Sequence, residues 1–286
     1  MYRRIHFFNG FHNGDIHVSR EFVRWIVKNV PAEEYVYSHK NSPKLIMDVE
    51  GIAFNNNMPR PDQSDWFLDN DILYINTWFR TIPRIHDKCG CGLQCLFLMF
   101  EENLKKLGIE LPTGLVQYIP NIDYEKYEIG NARKYLDGVS ERNKVFISNG
   151  MVMSGQATNF DFNPIIHSLA IKYKDVVFFL SNGNNEVALP NVVYTKDIIQ
   201  SRNNDLNENA YIAKFCSIIV GRASGPHAFC WNTDNLNKTV IDFSMDNKTG
   251  TFGLYMLYPD GFVHYPRNEP VEMGISKEIE RVFRHD

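Results

Sequence analysis

Two rhythms alternate along this chain. Short continuous apolar runs, closed by asparagine or glycine, take turns with stretches whose apolar residues recur at helical spacing. The first pair is Arg4–Phe8, which predicts a strand, and Ile16–Asn29, which predicts a helix with Val18, Phe22, Trp25 and Ile26 on one face. Residues 71–75 (DILYI) predict a further strand. Residues 93–109 (LQCLFLMFEENLKKLGI) predict a buried helix that becomes amphipathic and stops at Gly108. Residues 114–120 (GLVQYIP) read as another strand.

A second series starts at Asn143. KVFISNG, DVVFFLSNG, SIIVG and TVIDFS read as strands, and NVVYT is short and extended. Between them NPIIHSLAIKYK and LNENAYIAKFC read as helices, and GPHAFCW as a turn entering one. Pro164 sits in a first helical turn, where its missing N–H costs nothing. Alternating strands and helices, with strands apolar throughout, mark parallel sheets covered on both faces. The charged stretch Lys134–Lys144 is the natural boundary. The expected fold is α/β: two Rossmann-like domains, 1–140 and 141–286.

The composition narrows the function classes. With 286 residues and 44% apolar content the chain can bury two cores. A net charge of -4 gives no basic face for nucleic acid or a membrane surface. No run approaches the roughly 18 apolar residues of a membrane span, and the N-terminal residues lack a signal-peptide core. Three of five cysteines cluster, which reads as a reducing, cytoplasmic setting.

In open α/β sheets ligands bind beyond the carboxyl ends of the strands, so the loops after strands carry the candidate chemistry. The opening loop holds His12, Asn13, Gly14, Asp15 and His17. Asp15 reads either as a helix N-cap or as a functional carboxylate, and His12, Asp15 and His17 as conceivable metal ligands. The loop Ser148–Phe162 offers amides at Asn149, Gln156 and Asn159 to a polar ligand, or is a plain surface loop with Met151, Val152 and Met153 partly packed. The third loop, Gly221–Phe229, sets Arg222 before Ser224, Gly225 and Pro226 at an expected helix start. Free backbone N–H groups there and a guanidinium fork suit a diphosphate. His86, Cys89, Cys91 and Cys95 form a cluster that reads as structural zinc or, for Cys95, as core.

These loops resemble those of the GT-B glycosyltransferases, in particular the heptosyltransferase-type family, glycosyltransferase family nine. HNGDIHVS after the first strand is similar to that family's opening Gly-Asp pair. VGRASGPHAF is similar to its Asp-Ser/Thr-Gly-x-x-His segment, with Arg222-Ala223 where the family carries an acidic residue. The resemblance implies two domains facing a cleft, a nucleotide-sugar donor on the C-terminal domain and a carbohydrate acceptor on the N-terminal one. It implies Asp15 as general base, with His12 orienting it and Asn13, Gly14 and His17 on the acceptor side. Arg222, Ser224, Gly225 and His227, with Asn149, Gln156 and Asn159, fall on the donor phosphates. The implied reaction is inverting transfer with neither metal nor cofactor. A non-catalytic sugar- or nucleotide-binding protein of the same fold, or a sugar-nucleotide epimerase or hydrolase, stand as alternatives.

Overall fold

The computed structural model describes residues 1–59, 66–78, 92–153, 157–182, 187–200, 205–222, 224–243, 262–264 and 270–284. The chain divides into two units, Met1–Ile122 and Asp123–Asp286.

The first unit runs β1 (Tyr2–Asn9), α1 (Asn13–Val18), α2 (Arg20–Asn29), β2 (Ala32–His39), β3 (Ile52–Asn55), β4 (Trp66–Asp69), β5 (Ile72–Asn76) and α3 (Gly92–Lys106). Its sheet has the order β3-β2-β1-β5-β4. All pairings are parallel except β4 with β5, which Asn70 and Asp71 join in a tight turn with φ of 46° and 64°. The Asp69–Asp71 carboxylates thus lie at the amino end of β5, away from the loops of interest. Stacked rings fill the core: Phe22 lies 4.7 Å from Phe100 and 4.4 Å from Tyr118.

The expected helix over 16–29 is two helices. The Ser19 hydroxyl donates to the Ile16 carbonyl at 2.8 Å at the break. Arg20 then turns fully inward and places Nη1 2.7 Å from both Asp48 carboxylate oxygens. Residues 114–120, expected as a strand, instead contain a 3₁₀ turn at Val116–Tyr118. Gly114 stands at φ 112°, and the Gln117 amide donates to the carbonyls of Pro112, Thr113 and Gly114, so local bonds replace a ladder.

The second unit contains α4 (Gly130–Asp137), β6 (Asn143–Ser148), α5 (Asn163–Lys172), β7 (Val176–Leu180), β8 (Val192–Tyr194), α6 (Thr195–Ile198), α7 (Leu206–Ala213), β9 (Ile218–Arg222), α8 (Gly225–Phe229), β10 (Thr239–Phe243), β11 (Phe262–His264) and α9 (Val271–Phe283). The order β11-β10-β9-β6-β7-β8 is parallel throughout. Counted from β6, this is the doubly wound 3-2-1-4-5-6 arrangement. β7, β9 and β10 are buried at every residue, as their unbroken apolar runs require. Residues 123–140, assigned from sequence to the N-terminal domain, belong to this unit: α4 packs on α6 and α7 and buries Ala132 and Leu136.

No helix among the described residues is long and apolar enough to cross a membrane. Cys95 lies buried on α3, as its core reading expects, and is disulfide-bonded, which differs from the reducing setting read from the sequence. His86, Cys89 and Cys91 fall outside the described residues.

Candidate functional site

In a doubly wound sheet the loops after neighbouring strands part where the strand order reverses, and a crevice opens there. In the first unit that point lies between β1 and β5; in the second, between β6 and β9.

Four parallel strands of the first unit end in the same device. Asn9 Oδ1 accepts the Phe11 N–H at 2.9 Å, Asn55 Oδ1 that of Asn57 at 2.7 Å, and Asn76 Oδ1 that of Trp78 at 3.1 Å. His39 Nδ1 does the same for Asn41 at 3.1 Å. Each side chain caps the turn two residues on and so fixes where that residue points. Along the sheet edge the presented residues are Asn57, Asn41, Phe11 and Trp78. The Phe11 and Trp78 rings stand 5.8 Å apart, tilted at 47°, and both are half-buried. Asn41 Nδ2 donates to Asn13 Oδ1.

A buried relay ties these ends together. Asn9 Nδ2 donates to Thr77 Oγ1 at 3.0 Å, and the Tyr37 hydroxyl lies 2.6 Å from the same oxygen. One residue beyond Phe11, His12 is the N-cap of α1. Its N–H donates to the Asp15 carboxylate at 2.9 Å. Asp15 is therefore not the N-cap but the acidic residue three positions inside the helix. Burial pushes its carboxyl up to about 6, against the opposing pull of the His12 N–H bond and the His12 ring. Burial likewise pushes the Tyr37 phenol up to about 12, and the charge of Asp15 adds to that shift. A half-buried carboxyl poised near neutrality at a switch point has the makings of a general base.

His12, Asn13, Gly14 and Asp15 thus gather at one edge. His17 does not: it is wholly buried, because the helical repeat turns it toward the core. This removes it from the acceptor side and from any metal set with His12 and Asp15. No group of three or more His, Cys, Asp or Glu positioned to hold a metal occurs among the described residues.

The second unit corrects the donor-side expectation. Arg222 is only 1% exposed, so it cannot reach out to a phosphate. Its Nε donates to Thr158 O at 3.1 Å, and Nη1 to Asn149 O at 3.0 Å and Gly150 O at 2.7 Å. Nη2 donates to Phe160 O. The guanidinium also lies 4.4 Å and 4.5 Å from the Phe160 and Phe162 ring centres. A buried cation must find acceptors, and the loop after β6 supplies carbonyls. Burial pulls the Arg222 proton affinity down, opposed by Asp161.

The amides of that loop are engaged as well. Asn149 accepts the Asn182 N–H at 2.8 Å and donates to the Asn182 carbonyl, joining the loops after β6 and β7. Asn159 clasps Val152 at both backbone N–H (2.7 Å) and carbonyl (2.9 Å). Gln156 lies outside the described residues. His227 is wholly buried under β9, its Nε2 3.7 Å from Asp242 Oδ1. Gly221 makes room for it: a Cβ there would stand 2.2 Å from His227 Nδ1. Burial holds His227 down at about 3 and raises Asp242 to about 7, so burial favours the neutral form of both groups. Of the expected donor residues at the end of β9, Ser224 and Gly225 stay partly exposed while Arg222 and His227 are buried; in the loop after β6, Asn149 is partly exposed and Asn159 exposed, with their amides bonded within the protein.

Phe11, Trp78, Asn41, Tyr37 and Thr77 had not been singled out. The sequence signal for two of them is an Asn-x-aromatic triplet after a strand, NGF at 9–11 and NTW at 76–78.

No family model matches the sequence, and no curated protein matches it. Solved structures do. The E. coli heptosyltransferase WaaC with ADP aligns at a TM-score of 0.57 and 10% identity, over 97% of this chain and 99% of that one. The family 9 glycosyltransferase from Veillonella parvula aligns at 0.51 and 12%, over 99% and 90%. E. coli ADP-heptose heptosyltransferase II aligns at 0.51 and 11%, over 92% and 90%. At such identity the likeness establishes architecture: this chain has the GT-B fold found in family nine glycosyltransferases.

Proposed function

We propose that the chain is a nucleotide-sugar glycosyltransferase that transfers a sugar to a carbohydrate acceptor with inversion and without a metal. The observation that carries this is Asp15, a carboxyl raised to about 6 and fixed by the His12 N–H at the switch point of the first unit. Above that pH it is ionised and can take the proton of an acceptor hydroxyl. The acceptor oxygen then attacks the anomeric carbon on the face opposite the diphosphate. The new C–O bond forms as the anomeric C–O bond to phosphate breaks, and the leaving group departs with the electron pair.

The donor is assigned to the second unit, on Ser224 and Gly225 beside the loop that Arg222 holds. Arg222, Asn149 and Asn159 serve the donor indirectly, by fixing that loop's backbone; His227 supports β9 from beneath. His12, Asn13 and Gly14 belong to the acceptor side. The likeness in fold to a heptosyltransferase solved with ADP supports a nucleoside diphosphate over a simple sugar phosphate.

The test begins with thermal melts in ADP, UDP, GDP and CMP and in their sugar conjugates. A ligand at 100 times its Kd adds about 2.7 kcal/mol of stability. Turnover with the stabilising donor is then followed in the presence of EDTA, where it should persist. Absence of any nucleotide shift would defeat the assignment, and loss of turnover restored by Mg²⁺ or Mn²⁺ would defeat the metal-free step.

A further inference from the structure

We infer that Phe11 and Trp78 form the wall against which the acceptor's sugar ring stacks, its C–H face on the rings and its hydroxyls toward Asn13 and Asn41. This deepens the transferase reading and rests on it. The two aromatic residues leave adjacent parallel strands by identical turns, after Asn9 and Asn76. Their placement is therefore built in by the sheet and does not depend on a free loop.

The chemistry of the edge is graded. Rings occupy the β1 and β5 end, and amides the β2 and β3 end, with Asn41 and Asn13 sharing one bond. That shared bond uses the Asn13 carbonyl and one Asn41 N–H, so the Asn13 NH₂ and the Asn41 carbonyl are left to address hydroxyls. A pyranose has the matching surface: one apolar face of C–H groups and a polar rim. Flat rings beside a few fixed polar groups are how small-ligand sites combine affinity with orientation.

The position selects the acceptor over the donor. Phe11 adjoins His12, whose N–H holds the Asp15 carboxylate. A ring stacked on Phe11 and Trp78 presents its rim to the group that must accept the hydroxyl proton. The two rings lie 5.8 Å apart and tilted at 47°, so together they offer one bent, half-exposed apolar surface.

The experiment is saturation-transfer NMR on the full chain with the methyl glycosides of glucose, galactose, mannose and N-acetylglucosamine. Expected are signals concentrated on the C–H protons of one ring face, from at least one glycoside. Trp78→Ala and Phe11→Ala should weaken that binding by about threefold to tenfold. Trp78→Phe should restore most of it, which a merely structural tryptophan would not predict once melting temperatures are matched. If Trp78→Ala does not fold, Phe11→Ala and Trp78→Leu carry the comparison, since leucine keeps the apolar bulk without the flat face. Unchanged binding in the folded variants overturns the inference, and so does the absence of saturation from all four glycosides. Nucleotide melts run in parallel separate the two readings. Glycosides that depend on Trp78 in a chain that binds no nucleotide keep the wall and remove the transferase. Nucleotide binding without glycoside binding removes the wall alone.

Discussion

Arg222→Met is the sharpest test of how the second unit works. The substitution keeps the aliphatic stem and removes the guanidinium. Four backbone carbonyls, of Asn149, Gly150, Thr158 and Phe160, lose their donor at once. Hydrogen bonds to a charged group contribute about 1.5–3 kcal/mol each, but four on one side chain are far from additive. Methionine recovers part of the contact with Phe160 and Phe162. The expected net loss is about 1–3 kcal/mol, the cost of leaving neutral, part-buried acceptors without their donor. Urea melts at pH 7 measure it, and limited proteolysis should reveal new cleavage within 149–160. Nucleotide affinity should fall with the loop and recover in part at low temperature or in stabilising osmolyte. A loss under about 1 kcal/mol together with abolished nucleotide binding would refute this account, because it would mean the guanidinium meets the ligand directly.

Asp15→Asn should lower turnover by about 10²–10⁴-fold while donor affinity holds, since an amide cannot take the proton; single-turnover and calorimetric measurements on one preparation decide it. Wild-type kcat/KM should rise through about pH 6 to a plateau, and a profile flat from pH 5 to 8 would exclude the raised carboxyl. Because folding raises the Asp15 pKa, its contribution to stability is full below the unfolded value and is lost as pH climbs through about 6, so Asp15→Asn should melt no lower than wild type at pH 7. Asp242 is also raised, from 3.8 to about 7, and thus takes stability away as pH rises over that window; the stability of Asp242→Asn in urea melts should therefore gain on that of wild type as pH rises from about 4 to 6.5, and parallel profiles would exclude the raised carboxyl. Gly221→Ala should cost about 1–3 kcal/mol by driving a Cβ into the His227 ring, and His227→Ala should relieve most of that in a double-mutant cycle.

How far the sequence carries depends on how far apart the interacting residues lie. The parallel sheets were legible because a strand covered on both faces must be apolar at every position, and β7, β9 and β10 are. β2 was not, since its first half carries Glu33 and Glu34 at the surface and breaks the run. The sequence offered Asp15 as a helix cap or a free carboxylate; the bond to the His12 N–H, three residues away, and the place of Asp15 inside the helix were not legible. Arg222 misled. A charge after a buried strand at a switch point can turn outward to an anion or inward to carbonyls. The choice is made by residues 62 to 73 positions earlier in the chain, which no local pattern encodes.

His227 carries a more instructive lesson. Its burial depends on Gly221, six residues earlier, which has no Cβ to hold the imidazole off the strand. A glycine in the next-to-last position of a buried strand, followed within two helical turns by a histidine, is a pattern visible without coordinates. It argues that the ring packs on the strand, which leaves Ser224 and Gly225, not the histidine, partly exposed at its end. The same reasoning applies to NGF and NTW in the first unit. A strand-ending asparagine spends its side chain on the turn, so the residue left to present is the one two positions later. At Asn9, Asn76 and His227, then, the polar side chain that draws attention in the sequence is spent on the scaffold, and a nearby residue is left partly exposed.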